Sequence, residues 1–391
     1  MLSLPRAAFV TTLLGGALAC GGDVVGGGGE GGEGGRADAR PAAVSDAAAD
    51  DGVDDAAVDA GPDWVAEPLM IGIASGHPTF MDHPDIDRFF ESSTGERHFR
   101  MGHMYVPWNV ALEDSVRRQE LIEWLDKAAQ HGIEPVVAFN PELLPGGDFD
   151  TYRPTVDEFQ AAFDAFRATW PDVVTFLTWN EPNAGVTRVE PERAADYYLM
   201  MSARCGDACR VGAGNFRGWF AADTEALRMG PGGPDHPTCG AAGSYVDRYK
   251  CRLDAAGHRP AIWAFHPYLD GYDYRERSFH CSNPDTCQTK LFMAQVGGSW
   301  SASEVWMTET GAEYATPTLP ASEFEQACTG AFFLRLFSLP AFEGRVTRFY
   351  YFNWYGYQND LGIVDKTEAH APRAIFDQLR DRVHQYDASC P

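Results

Sequence analysis

Val174-Thr175-Phe176-Leu177-Thr178-Trp179-Asn180-Glu181-Pro182-Asn183 is the stretch from which the fold is read. Six residues without a charge run straight into Asn-Glu-Pro. Val174, Phe176 and Thr178 on one face and Thr175, Leu177 and Trp179 on the other predict a strand buried on both sides, the mark of a parallel sheet. The strand stops at an acidic residue and a proline, so the next segment is a turn.

The same unit recurs outward in both directions. Apolar runs at Met70–Ala74, Phe99–Val106, Pro135–Phe139, Val174–Trp179, Arg210–Ala213, Ala261–Phe265, Glu304–Thr308 and Thr347–Phe352 predict eight strands. Helical periods separate them. Val116–Ala129 places Leu121, Leu125 and Ala128 on one face, and Val156–Ala168 repeats Phe159, Phe163 and Phe166. Further helices are expected at Ala194–Ser202, Ser244–Ala255, Lys290–Val296, Glu323–Phe337 and Ala371–Tyr386, with a short one near Ile86–Ser92. Eight strand–helix units point to an α/β fold, a (β/α)8 TIM barrel, rather than an open doubly wound sheet. No glycine-rich phosphate loop follows the first strand, as a nucleotide-binding fold would require.

The chain has 391 residues, enough for one barrel with additions. Residues 1–20 read as an export signal: Arg6, an apolar run from Ala7 to Leu18, then small residues before Cys20. Ala17-Leu18-Ala19-Cys20 resembles a bacterial lipobox, in which Cys20 would carry lipid and anchor the protein to a membrane. Residues 21–66 are Gly-rich and then Ala/Asp-rich with no apolar period, and are expected to form a disordered tether. The catalytic domain is expected at 67–391. Removing Cys20 from the nine cysteines leaves eight. In an exported chain an even number points to disulfides. The spacings suggest Cys205–Cys209, Cys239–Cys251, Cys281–Cys287 and Cys328–Cys390.

The net charge is −25. An acidic surface argues against a nucleic-acid partner and for a neutral substrate. No His-Glu-x-x-His or Cys-x2-Cys spacing occurs, so neither a metal nor another cofactor is expected. No Gly-x-Ser-x-Gly elbow points to serine chemistry.

In a barrel, chemistry sits where strands end. That rule selects Glu181 after strand four and Glu309 in Trp306-Met307-Thr308-Glu309-Thr310-Gly311 at the end of strand seven. Two carboxylates facing each other across a barrel mouth suit glycosidic cleavage: one gives a proton to the leaving oxygen, the other attacks the anomeric carbon. Trp179-Asn180-Glu181-Pro182 together with the Glu309 motif resembles the glycoside hydrolases of clan A, such as families 5 and 39. The resemblance implies a retaining enzyme with Glu181 as acid/base and Glu309 as nucleophile. It further implies that Asn180 binds the hydroxyl beside the anomeric carbon. Tyr268 would hydrogen-bond the nucleophile, His266 would line the same floor, and Trp354 would form a platform under the sugar. By the same likeness Arg100 would stand near the nucleophile. Trp108 is a candidate for stacking on sugar, with Trp219, Trp300 and Tyr355 as further aromatics of that kind. The expected product is an exported, lipid-anchored, monomeric enzyme whose partner is an extracellular carbohydrate. Two alternatives use the same residues: a non-catalytic carbohydrate-binding lipoprotein, and a transglycosylase.

Overall fold

Eight parallel strands close on themselves in the order β1 to β8, with β8 paired back to β1. The strands are β1 (Met70–Ala74), β2 (Met101–Pro107), β3 (Glu134–Asn140), β4 (Thr175–Trp179), β5 (Arg210–Arg217), β6 (Ile262–His266), β7 (Glu304–Thr310) and β8 (Val346–Phe352). This is the expected (β/α)8 barrel. The computed structural model describes residues 69–144, 149–218, 233–275, 281, 287–314, 320–356, 360–365, 367, 370–383, 387 and 389–390. The expected signal peptide, Cys20, the tether and Trp219 lie outside the described residues.

The helices are α1 (Ile86–Phe89), α2 (Val116–His131), α3 (Val156–Thr169), α4 (Pro191–Cys205), α5 (Tyr245–Ala255), α6 (Tyr268–Arg275), α7 (Gln288–Gln295), α8 (Glu323–Phe337) and α9 (Ala374–Arg380). Local chemistry fixes their ends. Thr155 and Glu158 form a reciprocal capping box at the start of α3. Ser115 caps α2, which ends at Gly132 in the left-handed region with φ 63°. The phenylalanine stripe of α3 is fully buried: Phe159, Phe163 and Phe166 all pack edge-on against Phe139 of β3. Each such ring contributes about 2–3 kcal/mol by leaving water. This packing clamps α3 onto β3 and β4 and so fixes where β4 ends. No helix among the described residues is long and apolar enough to cross a membrane.

All four expected disulfides are present: Cys205–Cys209, Cys239–Cys251, Cys281–Cys287 and Cys328–Cys390. The last ties α8 to the C-terminus.

Two departures from the expected elements bear on the site. β5 runs to Arg217, four residues past the expected end at Ala213, and its register against β6 shifts between Gly214 and Phe216. Gly214 and Asn215 both have positive φ, 88° and 57°. The resulting bulge turns the Asn215 side chain into the barrel. In addition, Tyr268–Arg275 is a helix where a loop was expected. Asp270 on it accepts hydrogen bonds from the Gln288 and Thr289 backbone at 2.8 Å each, which docks α6 onto the start of α7.

Candidate active site

The C-terminal mouth of the barrel collects Glu181, Asn215, Arg217, His266, Tyr268, Thr308 and Glu309. Glu181 follows β4 in the left-handed region, with φ 45°. A non-glycine residue there costs about 1–3 kcal/mol and must be held. Its N–H donates to Asn215 O at 3.0 Å, and its carbonyl accepts from Ala184 N and from the Thr187 hydroxyl at 2.7 Å. Glu309 lies near the end of β7, where the register against β8 shifts between Met307 and Thr310. That irregularity lets Thr308 and Glu309 both serve the site.

His266 bridges the two acids. Its Nδ1 stands 3.1 Å from Glu181 Oε1 and 3.8 Å from Glu309 Oε2. Those oxygens are therefore at most 6.9 Å apart, the sum of the two lengths, reached only if the three atoms were collinear. The Tyr268 hydroxyl donates to Glu309 Oε1. Glu309 Oε2 has no hydrogen-bond partner among the described residues.

Asn215 organises the far side of His266. Its Oδ1 accepts from the Thr308 hydroxyl at 2.6 Å and lies 2.9 Å from His266 Nε2, while its Nδ2 donates to Asn180 Oδ1 at 2.9 Å. An amide oxygen only accepts, so His266 Nε2 must carry a hydrogen. Nδ1 is then left to share one proton with Glu181 across the 3.1 Å gap. Deeper in the barrel, fully buried His103 donates from Nδ1 to Thr308 O at 3.0 Å. Burial and the neighbouring His266 push its pKa down to about 3, so His103 is neutral.

The two carboxyls are driven apart. Burial pushes Glu181 up, but the Arg217 charge and the His266 hydrogen bond outweigh it and hold the carboxyl below its ordinary range. Burial pushes Glu309 up, the Glu181 charge adds to that, and the balance stays above the ordinary range. The buried Tyr268, facing Glu309, is held well above 10 and remains a donor.

Asn180, His266 and Tyr268 are thus brought together with Glu181 and Glu309. Trp108 stands on the rim after β2, its ring tilted 36° to Tyr152 at 6.2 Å. Two expected residues are elsewhere. Arg100 precedes β2 and so lies at the opposite end of the barrel, where it pairs with Asp87 and donates to His131 O. A seven-residue strand is roughly 20 Å long, which separates the two ends. Trp354 is fully buried outside the barrel against Phe80, His83, Phe89 and Phe376. β8 stops at Phe352 and the chain turns away, carrying Trp354 onto α1 and α9. The aromatic that faces the mouth is Phe352, edge-on to Tyr268 at 6.2 Å. Trp300 is also fully buried, against Trp263.

Sequence reading missed Asn215, Arg217, His103 and Phe352. For His103 and Phe352 the signal was available: strand alternation puts His103 on the same face as Met101 and Tyr105, and Phe352 with Tyr350. Asn215 and Arg217 fall after Gly214, where the expected strand had ended at Ala213 and a loop was expected to begin.

No protein-family model matches the chain, and no curated protein matches it. Solved structures do. A family 39 glycoside hydrolase from Bacteroides cellulosilyticus WH2 is similar with TM-score 0.50 and 13% identity, over 83% of this chain and 65% of that one. A glucosidase from Croceicoccus marinus gives 0.53 and 11%, over 81% and 68%. A family 39 β-xylosidase from Caulobacter crescentus gives 0.52 and 14%, over 81% and 71%. The chain spans just under two thirds of the first of these. At such identities the likeness is one of fold: a barrel of the kind found in these glycosidases.

Proposed function

We propose that the protein is a retaining glycoside hydrolase that cleaves β-glycosidic bonds of an extracellular oligo- or polysaccharide by double displacement. The observation that carries this reading is the pair of buried glutamates at the ends of β4 and β7, bridged by His266 Nδ1. Retaining pairs stand ~5–5.5 Å apart and inverting pairs ~6.5–9.5 Å. The two oxygens that face Nδ1 lie within 6.9 Å of each other, a bound that admits the retaining separation.

In the first step Glu309 Oε2, the oxygen that Tyr268 leaves open, attacks the anomeric carbon. The glycosidic bond breaks, and its oxygen takes the proton held between Glu181 and His266. In the second step Glu181 takes a proton from water, the resulting hydroxide attacks the same carbon, and Glu309 is released as carboxylate. The charge that develops on the sugar favours the ionised form of Glu309 once substrate is bound, against its tendency in the free site. The Asn180 amide would bind the hydroxyl beside the anomeric carbon, Phe352 would underlie the sugar, and Trp108 would stack on a more distant unit. Cys20 as lipid anchor and residues 21–66 as tether would hold a monomeric enzyme at the cell envelope.

The test is a panel of β-glucan, mannan, xylan and aryl β-glycosides. Glu309→Ala should be inert, with azide restoring turnover as a glycosyl azide of inverted configuration. Glu181→Ala with azide should give the retained configuration. Wild-type rates from Glu309→Ala would sink the assignment, and exchanged azide products would exchange the roles. Glycan binding by the wild type without any release of reducing ends would favour a non-catalytic binder.

A further inference from the structure

Thr308, Asn215, His266 and Asn180 form one hydrogen-bonded network under the mouth, and its direction is set at one point. Thr308 Oγ1 lies 2.6 Å from Asn215 Oδ1 and 3.5 Å from Phe265 O. Thr308 is fully buried, so its hydroxyl proton goes to the nearer oxygen. A separation of 2.6 Å fits an O–H···O bond and is short for an amide N–H on the same hydroxyl. It is therefore the carbonyl end of Asn215 that faces Thr308. The same end faces His266 Nε2 at 2.9 Å, while Nδ2 donates to Asn180 Oδ1 at 2.9 Å. The hydroxyl is itself fixed. A β-branched side chain has few χ1 choices, and the Thr308 carbonyl is held by His103 Nδ1 at 3.0 Å.

Turning Asn215 over would reverse the whole network. Its Nδ2 would donate to His266 Nε2, and the hydrogen of the neutral imidazole would move from Nε2 to Nδ1. That hydrogen would then be donated to Glu181 Oε1 across 3.1 Å, which favours the ionised carboxylate, the wrong form for the first step. Asn180 would have to turn as well and present Oδ1 to the sugar in place of Nδ2. The two ends of an amide have nearly the same shape, so shape alone does not prevent this. The Thr308 hydroxyl does: in the reversed network it would be left with Phe265 O at 3.5 Å.

We propose that Thr308 is a positioning residue for general acid catalysis. Its hydroxyl fixes the Asn215 amide, and through it the His266 tautomer, so that Nδ1 stays free to share the Glu181 proton. The inference rests on the glycosidase reading above.

The test compares Thr308→Val, which keeps the branched shape without the hydroxyl, with Thr308→Ser, which keeps the hydroxyl. The substrates are two aryl β-glycosides of the sugar found by the panel. One carries an acidic phenol that leaves without a proton, the other a weakly acidic phenol that needs one. Thr308→Val should lower kcat/KM about tenfold or more with the weakly acidic phenol and less than about threefold with the acidic one, while Thr308→Ser should stay within about threefold of wild type on both. In protein carrying isotope-labelled histidine, the His266 ring signals are identified by their loss in His266→Gln. At alkaline pH they should show the ring hydrogen on Nε2 in wild type and on Nδ1 in Thr308→Val. Equal losses on the two substrates, a Thr308→Ser as impaired as Thr308→Val, or an unmoved ring hydrogen overturns the inference and leaves the glycosidase reading intact. Wild type no more active than Glu309→Ala on either substrate overturns both.

Discussion

Glu304 and Glu309 stand at the two ends of β7, and their surroundings drive them in opposite directions. At the foot of the barrel, Glu304 accepts from Trp306 Nε1 at 3.0 Å and from the Thr347 hydroxyl at 2.7 Å, with Arg210 at 3.1 Å. Burial pushes its carboxyl up, but these partners outweigh that and hold it below its ordinary range. At the mouth, Glu309 is more deeply buried, has one donor in Tyr268, faces a second carboxylate, and is pushed up. A carboxylate supplied with donors stabilises the fold. One deprived of them is poised to react.

Breaking each end separates the two kinds of work. Glu309→Ala should lower kcat by on the order of 10⁴-fold or more while the melting temperature holds or rises, since a strained buried acid is gone. Loss of stability on the same scale as loss of activity would erase the contrast. Asn215→Ala comes next. It frees His266 Nε2, Thr308 and Asn180 together, and should cost on the order of 10²-fold in kcat/KM with a displaced pH optimum; an unmoved pH profile would show that Asn215 does not set the His266 proton. Glu304→Ala should leave kcat within about twofold but cost ~1–2 kcal/mol in urea unfolding, because Trp306 Nε1 loses its acceptor.

The last effect is a slope, absent at neutral pH. His103 is neutral in the fold down to about pH 3, against 6.5 when unfolded, so the unfolded chain binds the extra proton between those values. Stability is therefore lost as pH falls through that window. His103→Gln should remove about 1.4 kcal/mol per pH unit from the acid-side slope of unfolding free energy. An unchanged slope would place the protonation elsewhere.

The barrel was legible because all eight strands announce themselves as largely apolar runs, half of them without a charge and most within two residues of their ends. The glutamate pair was legible because Glu181 and Glu309 follow such runs directly. Arg100 and Trp354 were assigned by likeness of motif, and each failed on position along its strand. Arg100 starts its strand at the wrong end, and Trp354 falls after β8 has already turned outward.

What the sequence determined by itself is the periodic part: apolar runs, helix caps, cysteine spacing and the residues at strand ends, all of which act over a few neighbours. What only the tertiary structure decided is the partnership across strands. The β5 bulge that aims Asn215, the His266 bridge between two acids and the Arg217 charge on Glu181 each join residues far apart in the chain. A contact of that kind depends on barrel closure and register, and no local pattern of residues encodes either one.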